Sequence, residues 1–173
     1  MSKTTIPTAG IADSAISTAK IADDAVTAAK ATGFGKFSQI QVGSSAGVVS
    51  STSTSYSVIT TVNITPSATD SKILLLGTVG EPDQCDGRLA ARFFVGDTEI
   101  TSSEDRITSE MGRGLSSTGA ETHRPNITQN IVHSPNSTSQ QTYTIKIART
   151  LGSGTVRVGN GGSNTIIAIE VLA

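Results

Sequence analysis

Gly43-Ser44-Ser45-Ala46-Gly47 is the stretch of this 173-residue chain that matches a nucleophile motif, G-x-S-x-G. The motif works when the serine sits on a sharp strand-to-helix turn, with an acid and a histidine downstream to take its proton. Here the neighbours are Ser-rich and strand-like, so a small serine hydrolase using Ser45 is the lesser alternative. His123 and His133 stand ten apart with no second ligand at an H-x-H or C-x-x-C spacing. Each reads as a turn or surface histidine, and a metal site would need one histidine from each of three copies on a shared axis. Glu81-Pro82-Asp83-Gln84-Cys85-Asp86-Gly87-Arg88 is an acidic turn offering Asp83 and Asp86 to a calcium ion. It lacks the D-x-D-x-D-G spacing and terminal Glu of a helix-loop-helix site, so a solvated loop is expected.

The remaining candidates are weaker still. Nothing near Cys85 marks it as an activated thiol. Glu104-Asp105 lies in polar sequence with no apolar pocket to raise a carboxyl pKa. Asn63, Asn126 and Asn136 satisfy the glycosylation rule, which a chain with 23 Ser and 25 Thr meets by chance. There is no phosphate-binding glycine loop, zinc spacing or basic-aromatic stripe. The residues assign no catalytic group, cofactor or resident metal, and the chain is expected not to be an enzyme.

The elements that would carry any site are easier to read. Residues 11–30 are two copies of a ten-residue unit, IADSAISTAK and IADDAVTAAK, identical at six positions. Apolar residues recur every five positions at Ile6, Ile11, Ile16, Ile21 and Val26. On one continuous helix, five residues turn by about 140°, so this row winds round instead of forming a stripe. Each ten-mer instead reads as an extended Ile-Ala step followed by one or two helical turns capped by Asp13 or Asp23. One bulky aliphatic residue per five positions is too little to offset an ordering cost of roughly 1–2 kcal/mol per residue. The segment 1–36 is therefore expected to order only with sister copies, their Ile and Val row at the centre; a flexible tether is the plain alternative. Ala31-Thr32-Gly33-Phe34-Gly35 reads as the joint to the next domain, with two glycines to permit a turn.

From residue 37 to 173 the pattern predicts an all-β domain. Ser57–Ile64 (SVITTVNI) and Thr142–Ile147 (TYTIKI) alternate with the period of a half-buried strand. Further strands are expected at 37–42, 72–79, 88–95, 98–102, 126–133, 155–158 and 164–172, separated by turn signals such as Pro66-Ser67, Gly96-Asp97 and Gly152-Ser153-Gly154. That many short strands suggest a β-sandwich of the jelly-roll kind. The polar stretch 103–124 is expected to be a long surface connection, where binding tends to sit. Aromatics are only 3% of the chain, which argues against a stacked-ring carbohydrate platform. Tyr56 and Tyr143 read as packing residues with a wet tip, and one of Phe93 and Phe94 as a core residue with the other at a subunit contact.

A formal net charge of -1 supplies no pull toward nucleic acid or an acidic membrane. Lys3 is followed by Thr, Pro and Gly and not by an apolar stretch, so no secretory signal is expected, and no segment has the length of a membrane span. A single Cys fits synthesis in a reducing compartment.

The ten-mer series resembles the I-x-D-x-A-V-T-x-x-K repeats of tailed-bacteriophage fibre and appendage proteins. The head is similar to the small jelly-roll modules that end such proteins, in TSYSVITTVNITPSATDSKILLLGTVGE (Thr54 to Glu81), QQTYTIKIART (Gln140 to Thr150) and NTIIAIEVLA (Asn164 to Ala173). The resemblance implies a homotrimeric virion protein made in the host cytoplasm. Its trimeric stem would dock on other virion proteins and its β-head would project, as in tumour-necrosis-factor and complement-type trimers, with a host receptor or glycan as a further partner. With about two and a half repeats the chain is much shorter than long fibres, which raises capsid-surface decoration as the alternative.

Overall fold

The computed structural model describes residues 37–82, 87–101, 109–111, 126–159 and 161–172. The stem-core candidates Ile6, Ile11, Ile16, Ile21 and Val26 lie outside the described residues, as do Asp83, Cys85, Asp86, Glu104, Asp105 and His123. Among the described residues eleven strands succeed one another: β1 (Phe37–Ser45), β2 (Val49–Ser51), β3 (Ser57–Ile64), β4 (Lys72–Val79), β5 (Gly87–Val95), β6 (Thr98–Glu99), β7 (Ser109–Met111), β8 (Ile127–His133), β9 (Gln141–Gly152), β10 (Val156–Val158) and β11 (Asn164–Val171). Among the described residues there is no helix.

The strands form two main antiparallel sheets. One runs β1-β11-β4-β8; the other runs β3-β9-β5-β6, with β7 also paired to β5. β2 and β10 make a small third sheet. Setting aside the short pieces, each main sheet interleaves strands from both halves of the chain, an order compatible with a jelly roll. The first and last strands are neighbours, Phe37 opposite Val171 and Ile40 opposite Ile169.

One apolar cluster fills the space between the sheets. The first sheet contributes Ile73, Leu75, Val79, Ile127, Ile131, Ile166 and Ala168; the second contributes Ile59, Val62, Ile64, Leu89, Ala91, Phe93, Tyr143, Ile145 and Ile147. Burying each large aliphatic or aromatic side chain is worth about 1.5–3 kcal/mol, and this cluster is what offsets the ordering cost. Two glycines set how closely the layers approach. A Cβ on Gly77 would lie 2.7 Å from Phe93 Cζ and 2.8 Å from Ile145 Cδ1, so the opposite sheet fills the space a side chain would need. A Cβ on Gly43 would overlap the carbonyl of Thr61, where β1 and β3 close one side of the sandwich backbone to backbone.

The strand boundaries differ from the sequence expectation where polar residues continue a ladder. β1 runs to Ser45 because Gly43, Ser44 and Ser45 pair with Ile166, Thr165 and Asn164. β9 continues to Gly152 by pairing with β5 past a bulge at Arg88/Leu89. Within 103–124, expected to be a surface connection, Ser109–Met111 adds a strand to β5. Partner strands decide these cases; local composition does not.

Candidate functional site

Strands β11 and β4 are apolar on both faces. Ile73, Leu75, Ile166 and Ala168 point into the core, while Leu74, Leu76, Ile167 and Ile169 point outward with part of their surface open. Register aligns these outward residues across all four strands. One row is Val42–Ile167–Leu76–Asn130, and the next is Ile40–Ile169–Leu74–Val132. A third begins Phe37–Val171–Lys72, and on the other flank runs a hydroxyl row, Ser44–Thr165–Thr78–Thr128. Phe37, Ile40, Val42 and Val132 are 64%, 59%, 62% and 57% exposed. Nine apolar side chains thus share one outer face, with Lys72 as its charged member.

The end of this face where the chain enters β1 is held by a buried carboxylate. Glu170, fully buried, accepts from Gln39 Nε2 (2.7 Å), Ser67 N (2.6 Å), Ser67 Oγ (2.7 Å) and Ser71 Oγ (2.7 Å). Gln39 Nε2 also lies 2.6 Å from the Thr65 carbonyl oxygen. Burial by itself raises the Glu170 carboxyl pKa, but the donors of Gln39, Ser71 and Ser67 outweigh it and hold the group at about 2. The β3–β4 connection is thereby tied to both terminal strands.

On the outer face of the second sheet, by contrast, the large Phe94 ring is covered by its own chain, although Val58, opposite Lys146, is 50% exposed. Phe94 packs against Tyr56 with ring centroids 5.1 Å apart, and Lys146 Nζ lies 4.5 Å above the Phe94 ring. Lys146 reaches Asp97 at 3.1 Å, and Arg92 Nε lies 3.1 Å from Tyr56 Oη and 3.3 Å from Glu99 Oε1. Phe94 is only 6% exposed, so the subunit contact expected of Phe93 or Phe94 does not arise: Phe93 is in the core, and Tyr56 and Lys146 cover Phe94.

The residues singled out for chemistry lie apart. Ser45 Oγ donates to the Ile59 carbonyl at 2.5 Å and faces Asn164 Nδ2 at 3.4 Å, within β1 instead of at a strand-to-helix turn. His133 ends β8, the opposite edge of the same sheet, with β11 and β4 between; three strand spacings put about 14 Å between the two edges. His133 is also no surface histidine. It is half-buried, its Nδ1 is 2.9 Å from Tyr143 Oη, and burial lowers its pKa. Nor does Tyr143 keep a wet tip: the whole residue is buried, and burial pushes its hydroxyl pKa up. Among the described residues no group of His, Cys, Asp and Glu is arranged to hold a metal ion.

The outward apolar face was not singled out from the sequence. Its signal lay in Ile73-Leu74-Leu75-Leu76 and Ile166-Ile167, where consecutive apolar residues break the period of two and put hydrophobic groups on both faces of a strand. No protein-family model matches this chain, and no curated protein matches it in sequence.

Proposed function

We propose that this chain is a non-enzymatic structural protein of a phage virion, a homotrimeric short appendage whose N-terminal segment docks on the particle and whose β-head projects. The observation that carries the reading is the succession of two kinds of chain. A decapeptide segment with one bulky aliphatic side chain per five positions gives way, at Phe37, to the first strand of a β-sandwich with its own core. That is the layout of a stem bearing a head. The stem, with Ile6, Ile11, Ile16, Ile21 and Val26 as its central row, has too little apolar area to order alone and gains it from sister copies. The likeness of the repeats to phage fibre repeats supplies the virion setting. Host attachment falls to the loops around 81–88 and 103–124.

The same succession of repeat segment and β-head also fits a second reading, a decoration protein on the capsid surface. Immunogold electron microscopy of intact particles with antibody to the head separates the two. Label at the tail supports the appendage, label across the capsid supports decoration, and unlabelled particles overturn both.

A further inference from the structure

We infer that the outer face of the sheet β1-β11-β4-β8 is where heads of this protein pack against one another, so that the head, and not the repeat segment alone, holds the copies together. The inference rests on the homo-oligomer reading and adds a surface to it.

The face is apolar in the rows nearest the point where the chain enters β1. Phe37, Ile40 and Val42 on β1, Ile167, Ile169 and Val171 on β11, Leu74 and Leu76 on β4, and Val132 on β8 stand side by side in register. Four strands and three rows span roughly 15 Å by 15–20 Å. A contiguous apolar patch of a few hundred Å² is often functional. The opposite sheet offers a comparison within the molecule: its large outward ring, Phe94, is covered by Tyr56 and Lys146 and leaves Val58 half-exposed, whereas Phe37, Ile40, Val42 and Val132 are all more than half exposed on one face.

Two features select another copy of the chain as the occupant. The first is charge. Lys72 is the charged residue in the aligned rows, so the face offers a differently charged partner little to recognise, while apolar surface is complementary to itself. The second is where the rest of the chain ends. The thirty-six residues before β1 carry a repeat that needs sister copies, and they lead directly into Phe37, the first residue of this face. Copies gathered by their repeats arrive with these edge strands close at hand, which raises the effective concentration of one face for the next.

The full-length chain and its Ile40→Lys/Val42→Lys/Val132→Lys variant test this by sedimentation equilibrium together with hydroxyl-radical footprinting of Leu74, Leu76, Ile167 and Ile169. All three substituted positions are more than half exposed, so the fold should tolerate the lysines, which circular dichroism checks. Val132→Lys alone, on the edge strand β8, serves if the triple variant does not fold. The expected result is an oligomer in which those four residues are protected, and a variant that loses mass or protection. An oligomer whose four residues are oxidised as readily as in the variant overturns the head contact and leaves the oligomer reading standing. A monomer overturns both, and protection within that monomer assigns the face to residues 1–36 of the same chain.

Discussion

Gln39 Nε2 donates to Glu170 Oε2 at 2.7 Å, joining the first strand of the sandwich to the last at the end where the chain enters the head. The other carboxylate oxygen accepts from Ser67 and Ser71, so one buried anion fixes three separate segments. An anion with this many donors is stabilised in the charged form, and its removal leaves several donors without an acceptor.

Acid stability depends on that arrangement. The folded-state pKa of about 2 lies below the ordinary glutamate value of 4.5, so the unfolded chain binds the proton more readily. The stabilisation is fully present above about pH 4.5 and is lost as pH falls through 2. Its size is on the order of 3 kcal/mol. Glu170→Gln should lower stability at neutral pH by about 2–4 kcal/mol, and its denaturant midpoint should vary less than that of the wild type between pH 5 and 2. Urea titrations at several pH values test both points, and parallel acid profiles for the two proteins would contradict the assignment.

The His133–Tyr143 pair makes a smaller prediction. Burial lowers the His133 pKa below 6.5, so stability falls as pH drops through 6.5 and goes on falling until the folded-state group has itself taken up its proton. NMR titration of the imidazole should give a midpoint under 6.5, with His133→Asn identifying the resonance. Tyr143→Phe removes the hydroxyl partner and should cost about 1 kcal/mol. A midpoint at or above 6.5 would show that the ring is more hydrated than its place in β8 implies.

Layer spacing is tested at Gly77. Adding a methyl group there forces Phe93 and Ile145 aside, and overpacking of this kind costs about 1–3 kcal/mol. Gly77→Ala should lower the thermal midpoint, Gly77→Val should lower it further, and combining Gly77→Ala with Ile145→Val should recover part of the loss. An Ala variant as stable as the wild type would mean that the sheets separate more easily than the packing indicates.

On the second sheet, Lys146 and its partner Asp97 should differ in weight. Asp97 is fully exposed, so Asp97→Asn should leave stability nearly unchanged. Lys146→Ala uncovers the Phe94 ring as well as removing the charge, and should cost about 1 kcal/mol. Equal effects from the two substitutions would mean that the ion pair, and not the covering of Phe94, is what Lys146 contributes.

The strands were legible wherever one face is buried and the other wet. SVITTVNI and TYTIKI announce themselves through their alternation; β3 follows it apart from a bulge at Val58/Thr60, whereas Thr144 and Lys146 on the outer side of β9 are buried as well. The polar continuations of β1 and β9 were not, because Gly43-Ser44-Ser45 and Arg149-Thr150-Leu151 are strands only by virtue of Ile166 and Arg88 opposite. The chemical candidates carried little weight for a related reason. A motif such as G-x-S-x-G fixes spacing along the chain, whereas Ser45 and His133 are kept apart by two intervening strands that only the topology reveals. The outward apolar face was written in the runs of β4 and β11, but a run shows only that both faces are apolar. It does not say which of them the chain covers itself.

The proposed function requires the chain to exist as a trimer. Sedimentation equilibrium of the full-length protein at micromolar concentration measures this directly, each chain having a mass of 17.7 kDa. A trimeric chain gives a single species of three times that mass, with no folded monomer in equilibrium with it. A folded species of 17.7 kDa that persists across the concentration range would contradict it.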